Sequence, residues 1–113
     1  MKIVIGGQMG KEEIRDLAVN TAGDRVEVVI EDDITAAMEI KNGTADLYLG
    51  ACMTGGGGAL AMAIAILGYN ACQTLTSDDE SIIINAVKKG IRAFGFTPAM
   101  SKVVVPLILK HVL

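Results

Sequence analysis

The residues best suited to chemistry gather in one stretch, Cys52-Met53-Thr54-Gly55-Gly56-Gly57-Gly58. A thiol near the start of a helix has its thiolate favoured, which suits Cys52 to act as a base or nucleophile near neutral pH. The hydroxyl of Thr54, two residues on, can relay a proton or bind a ligand oxygen. Four consecutive glycines, Gly55, Gly56, Gly57 and Gly58, let a ligand approach the main chain and offer it amides that suit a phosphate or an oxyanion. The simpler reading makes Cys52 a small buried hydrophobe and the glycines a tight turn.

The flanking residues say what positions this turn. Asp46 to Ala51 reads as a strand and Ala59 to Gly68 as a buried helix, whose unpaired N–H groups aim back at the turn. Elsewhere apolar runs alternate with helical spacing. Strands are expected at Lys2–Ile5, Val26–Ile30, Tyr69–Leu75 and Ile91–Phe96. Helices are expected at Lys11–Thr21, Ile34–Lys41, Ile82–Lys89 and from Pro98 onward, the last kinked at Pro106. Asp32 or Asp33, a residue of the Thr76–Asp79 loop, and Thr97 serve as caps.

This alternation predicts an α/β fold, a single Rossmann-like domain over 1–113. It is a three-layer sandwich with a five-stranded parallel sheet, order 2-1-3-4-5, and helices on both faces. Ligands of such sheets bind beyond the carboxyl ends of the strands, where the order reverses. The reversal lies between strands one and three, so Gly7 and Gln8 of the first loop should face the Cys52–Gly58 turn as ligand-binding residues.

Composition narrows the function. The 113 residues are 51% hydrophobic and 20% charged, with mean hydropathy +0.47, which is apolar for so small a domain. A homo-oligomer is expected, with a partner subunit covering the all-apolar helix after the turn. Net charge is −3, no Lys/Arg cluster exists and aromatics are 4%, which excludes a nucleic-acid footprint. No charged residue occurs from Leu47 to Ser77, but the glycines, Asn70, Gln73 and Thr74 interrupt the run. Its helical part, about ten residues, is too short for a bilayer core of roughly 30 Å, so no membrane-embedded segment is expected. Two cysteines and a strand beginning at the first residues suggest reduced thiols in the cytoplasm.

Other motifs carry less. Gly7-Gln8-Met9-Gly10 with Glu31 to Asp33 imitates a dinucleotide fingerprint, but its first glycine would fall on Ile5. Gly10-Lys11 is followed by Glu12, which fails the phosphate-loop pattern. No metal-ligand spacing appears, and no cofactor is expected. Cys72 reads as core. His111, the only histidine, reads as a surface or interface residue that nothing nearby orients. Tyr69-Asn70 is either ligand-facing or a strand start.

Over nearly its whole length the chain resembles an uncharacterised bacterial family, the YhfU-like proteins. The likeness rests on Ala36-Ala37-Met38, Tyr48 to Gly55, Ala63 to Asn70 and Ala93-Phe94-Gly95. It implies a cytosolic role in small-molecule metabolism, with a membrane transporter as possible partner. The third strand–turn–helix unit also resembles the sugar-phosphate isomerases of the ribose-5-phosphate isomerase B type. Their Cys-Gly-Thr-Gly-x-Gly is matched by Cys52 to Gly57, and their Ala-Phe-Gly by Ala93 to Gly95. That resemblance implies Cys52 as the base of an aldose–ketose isomerisation, Thr54 as ring-opening partner and Gly55 to Gly58 as the oxyanion site. That family's aspartate after the first strand is absent here, where Gln8 stands, and its histidine is missing from Thr76 to Glu80. Two functions stay open. One is a protein binding a small anionic or phosphorylated metabolite at 52–58, with or without isomerase chemistry. The other is a non-catalytic soluble component of a carbohydrate transport or regulatory system, in which Gly6 to Gln8 offers no cysteine or histidine for phosphoryl relay.

Overall fold

The computed structural model describes residues 1–53 and 58–113. Five parallel strands run β1 (Lys2–Gly7), β2 (Glu27–Ile30), β3 (Leu47–Ala51), β4 (Cys72–Thr74) and β5 (Ala93–Phe96). The helices are α1 (Lys11–Ala22), α2 (Asp33–Asn42), α3 (Ala61–Leu67), α4 (Glu80–Lys88) and α5 (Ser101–Val112). Local chemistry sets several boundaries. The Asp32 carboxylate accepts the Thr35 N–H at 2.8 Å and caps α2. The Asp79 carboxylate accepts the Ser81 N–H at 3.0 Å and caps α4. The α5 helix runs through Pro106.

The strand order is β2-β1-β3-β5-β4, which corrects the expected 2-1-3-4-5. The reason lies in the strands themselves. All of Ala93–Phe96 is buried, so Phe94 and Phe96 need cover and β5 takes an interior position. Cys72–Thr74 is short, half-buried and carries Gln73 and Thr74, which suits an edge. Residues Tyr69–Ala71, expected as the start of that strand, form a 3-10 turn instead. Reversing β4 and β5 also reverses the direction of their crossover. A single crossover hand then moves α4 to the face that carries α1 and α5.

Strand alternation divides the core in two. Ile3, Ile5, Leu47, Leu49, Phe94 and Phe96 pack with residues of α1, α4 and α5. Val4, Tyr48 and Ala93 pack with Ala36 and Ala37 of α2 and with Leu60 and Ala63 at α3. The second cluster is built from small residues around one large one, Tyr48. Of the seven residues of α3 only Ala63 is buried within one copy of the chain, so the expectation that this helix is covered on every side is not met inside one subunit.

Ser101 is buried at the start of α5, and its Oγ has no hydrogen-bond partner among the described residues. A buried hydroxyl without a partner keeps its desolvation cost. Ser101→Ala is therefore expected to raise stability by about 1 kcal/mol, read as a higher urea midpoint with an unchanged slope. A destabilised variant would mean that the hydroxyl has a partner in solution.

Candidate functional site

At the carboxyl ends of β1 and β3 the two strands are paired in register through Gly7 and Ala51. The Ala51 carbonyl then accepts the Gln8 N–H at 3.0 Å and the Met9 N–H at 3.3 Å. The first loop is thus laced to the end of β3, as the topology requires, and Gln8 itself is exposed. The first turn of α1 follows directly. Gly10 precedes it in the left-handed region, and no side chain caps the helix.

Tyr48 is the residue that sequence reasoning missed. It is fully buried. Its hydroxyl accepts the Gly7 N–H at 3.1 Å and donates to the Ala59 carbonyl at 2.7 Å. A methyl at Gly6 would come within 2.6 Å of the Tyr48 ring, and one at Gly50 within 3.1 Å, so both glycines make the slot for the ring. Burial pushes the phenol above its ordinary value, which keeps the proton available for Ala59. The signal was present in the sequence. A tyrosine in an otherwise apolar strand must find partners for its hydroxyl, and glycines stand where the ring needs room.

Cys52 is also fully buried. Its Sγ accepts the Ala59 N–H at 3.2 Å, and its own N–H donates to the Phe96 carbonyl at 3.1 Å. Ala59 is thereby held through both its main-chain N–H and its carbonyl, by Cys52 and by Tyr48, directly after the four glycines of the sequence. Met53 is 74% exposed and Gly58 is half-buried. The other expected site residues, Thr54, Gly55, Gly56 and Gly57, lie outside the described residues. Gly7 is brought beside the turn, but its N–H is already engaged by Tyr48.

The remaining motifs resolve into structure. The Lys11 ammonium donates to the Glu31 carbonyl at 2.7 Å. His111 is oriented after all, since its Nε2 meets the Glu80 carboxylate, which also pairs with Lys110 at 3.1 Å. These contacts, His111 first, hold the Glu80 carboxyl below its usual range. Tyr69 and Asn70 line a groove of about 650 Å³ along β4, together with Gln73 and Lys89. Cys72 is half-buried, and burial raises its thiol.

One charged cluster makes a pH prediction. Burial and then a hydrogen bond to Glu39 push the Glu31 carboxyl up to about 7. The Glu39 carboxylate, held low first by Glu31, also accepts from the Lys2 ammonium at 2.7 Å. The folded state therefore holds a proton on Glu31 that the unfolded chain loses near 4.5. The stability this supplies is complete below 4.5 and is lost as pH rises through about 7. Glu31→Gln keeps a donor to Glu39 without the titration. The variant should exceed the parent in thermal midpoint at pH 8 and match it at pH 4.5. A parent midpoint that is level across this range would refute the shift.

No helix among the described residues is long and apolar enough to cross a membrane, and no group of three His, Cys, Asp or Glu could hold a metal ion there. Relatives match the chain along almost its full length. It is 36% identical over 115 residues to the uncharacterised protein YhfU of Escherichia coli K12, covering 97% of each chain. The uncharacterised YhfU of Shigella flexneri matches at the same identity and coverage. A family model described as protein of unknown function DUF2620 matches residues 1–112. With strand, turn and helix units matched from end to end, the chain belongs to the DUF2620 family.

Proposed function

We propose that this three-layer α/β domain is a cytoplasmic protein that binds a small anionic metabolite, phosphorylated or polyhydroxy, where the carboxyl ends of β1 and β3 meet. The observation that carries the reading is the switch in strand order between β1 and β3, because open parallel sheets bind ligands at that place. The first-turn amides of α1, which no side chain caps, favour negative charge beside it. In this reading Gly55 to Gly58 serve as amide donors and Thr54 as a hydroxyl contact. Gln8 stands at the mouth, and Gly7 shapes the wall rather than touching ligand.

The likeness of Cys52 to Gly57 to the isomerase motif favours a sugar phosphate. Isomerase chemistry would use Cys52 as the base that moves a proton between two sugar carbons. The burial of its sulfur against Ala59 supports binding over catalysis, since a base must reach its substrate.

A thermal-shift panel of sugar phosphates, unphosphorylated sugars and inorganic phosphate tests the reading. A ligand at a hundredfold excess over Kd adds about 2.7 kcal/mol, several degrees in Tm. Gln8→Ala should reduce that shift. Iodoacetamide titration in a Cys72→Ser background reports on Cys52 alone. A reactive thiol that ligand protects favours the enzyme, and an inert thiol with a stabilising ligand favours simple binding. No shift with any compound would overturn the proposal.

A further inference from the structure

The groove beside β4 follows the open edge of the sheet. Cys72, Gln73 and Thr74 all line it, although consecutive residues of a strand point to opposite faces. A groove that reaches all three runs along the edge. Its apolar walls agree, since Ile64 packs with the core of one face and Ile91 with that of the other. The main chain of this edge is partly spoken for. Just past β4 the Leu75 N–H donates to the Gly95 carbonyl at 2.8 Å, so Leu75 and, by alternation, Gln73 turn their main-chain groups to β5. Cys72 and Thr74 therefore turn theirs outward. The Cys72 N–H donates to the Tyr69 carbonyl, and the Gln73 side-chain amide donates to the Thr74 carbonyl at 2.9 Å. Between these two caps the Cys72 carbonyl and the Thr74 N–H have no partner among the described residues.

We propose that the β4 edge binds a short peptide ending in a free carboxylate, antiparallel to the strand, with its terminal charge at Lys89 and Asn70. An edge capped on both sides of a two-group window accepts no long strand. The open pair is one acceptor and one donor, flanking Gln73. That is the spacing at which an antiparallel peptide presents an N–H and a carbonyl on either side of one of its own residues. The antiparallel direction runs the peptide from Thr74 toward Cys72. It ends at the amino ends of β4 and β5, where Asn70 and Lys89 line the groove. Lys89 makes no ion pair and the Asn70 side chain no hydrogen bond among the described residues, and no acid lines the groove. A single unpaired cation with an amide beside it suits one terminal carboxylate. Side chains of successive peptide residues point to opposite faces, so one meets Ile64 and the next Ile91. Strand β5 separates β4 from β3, so this proposal and the metabolite reading can fail separately.

Acetyl-alanyl-leucine with a free carboxylate, added to about 10 mM to the isotope-labelled full chain, tests this by NMR, since that concentration fills a millimolar site. The Thr74 amide signal should move downfield and saturate as its N–H gains an acceptor. Methylating the leucine nitrogen of the peptide removes the donor to the Cys72 carbonyl and should weaken binding about fivefold or more. Converting the carboxylate to a carboxamide should weaken it about threefold, the worth of an exposed ion pair. Lys89→Met should cost the acid the same factor and leave the carboxamide unchanged, a pattern that general loss of structure would not give. No saturable shift at Thr74, equal binding of the N-methyl peptide, or a Lys89→Met loss shared by acid and carboxamide would each overturn the proposal.

Discussion

Gly7→Ala is expected to cost about 3 kcal/mol or more, a large part of the roughly 5–15 kcal/mol that holds a domain folded. Two terms add. Gly7 has φ +80°, where an L residue pays roughly 1–2 kcal/mol of torsional cost. Its new methyl would also meet the Ala51 nitrogen at 2.7 Å and the Ala51 oxygen at 3.0 Å. Those are main-chain atoms of the neighbouring strand in the middle of the sheet, so no rotamer change relieves the clash. Overpacking of this kind costs about 1–3 kcal/mol. Gly43→Ala separates the terms, because Gly43 has φ +78° in the left-handed region with nothing within 4 Å of the added methyl. Urea denaturation of both variants measures the difference. A Gly7→Ala variant as mild as Gly43→Ala would show that the β1 and β3 backbones are not in this close contact.

Tyr48→Phe is the second large effect, about 2–4 kcal/mol from two buried groups left without partners. The Gly7 N–H loses its acceptor and the Ala59 carbonyl loses its donor. The ring volume is unchanged, so no cavity confuses the result. The loss should also reach the candidate site, because Ala59 directly follows the four glycines in sequence. Ala59 is held by Cys52 as well, through its N–H. Tyr48→Phe and Cys52→Ala should therefore couple in a double-mutant cycle by about 0.5 kcal/mol or more, since both contacts hold one residue, Ala59. Additive losses would mean that the two contacts act independently.

The same anchoring bears on Cys52. Read from its neighbours in sequence, the thiol is a candidate base on a glycine turn. In the fold its sulfur is an acceptor inside the molecule. Both roles use the same atom, and the iodoacetamide experiment distinguishes them by whether that atom reaches solvent.

Much of the architecture was legible in the sequence because it depends on local chemistry. Asp32 caps α2 because a short carboxylate reaches its own helix amides. Alternation of strand and helix, each near its expected place, required parallel pairing. The switch between β1 and β3 followed from that pattern. The order of the last two strands did not follow, because neighbours in sequence usually pair and the chain gave no distance information. Yet the contrast between Ala93-Phe94-Gly95-Phe96 and Cys72-Gln73-Thr74 already favoured an interior β5 and an edge β4.

The partners of single atoms belong to the tertiary structure. His111 finds Glu80 from another helix, and the Glu31 carboxyl is pushed up by burial and then by Glu39 of α2. Tyr48 joins β1, β3 and the start of α3 through one hydroxyl, across 41 and 11 residues of sequence. Spacing along a chain governs which residues share a helix or a strand face, since backbone geometry repeats. It carries no record of which distant carbonyl or amide a side chain will meet, because that is set only when the layers close on one another.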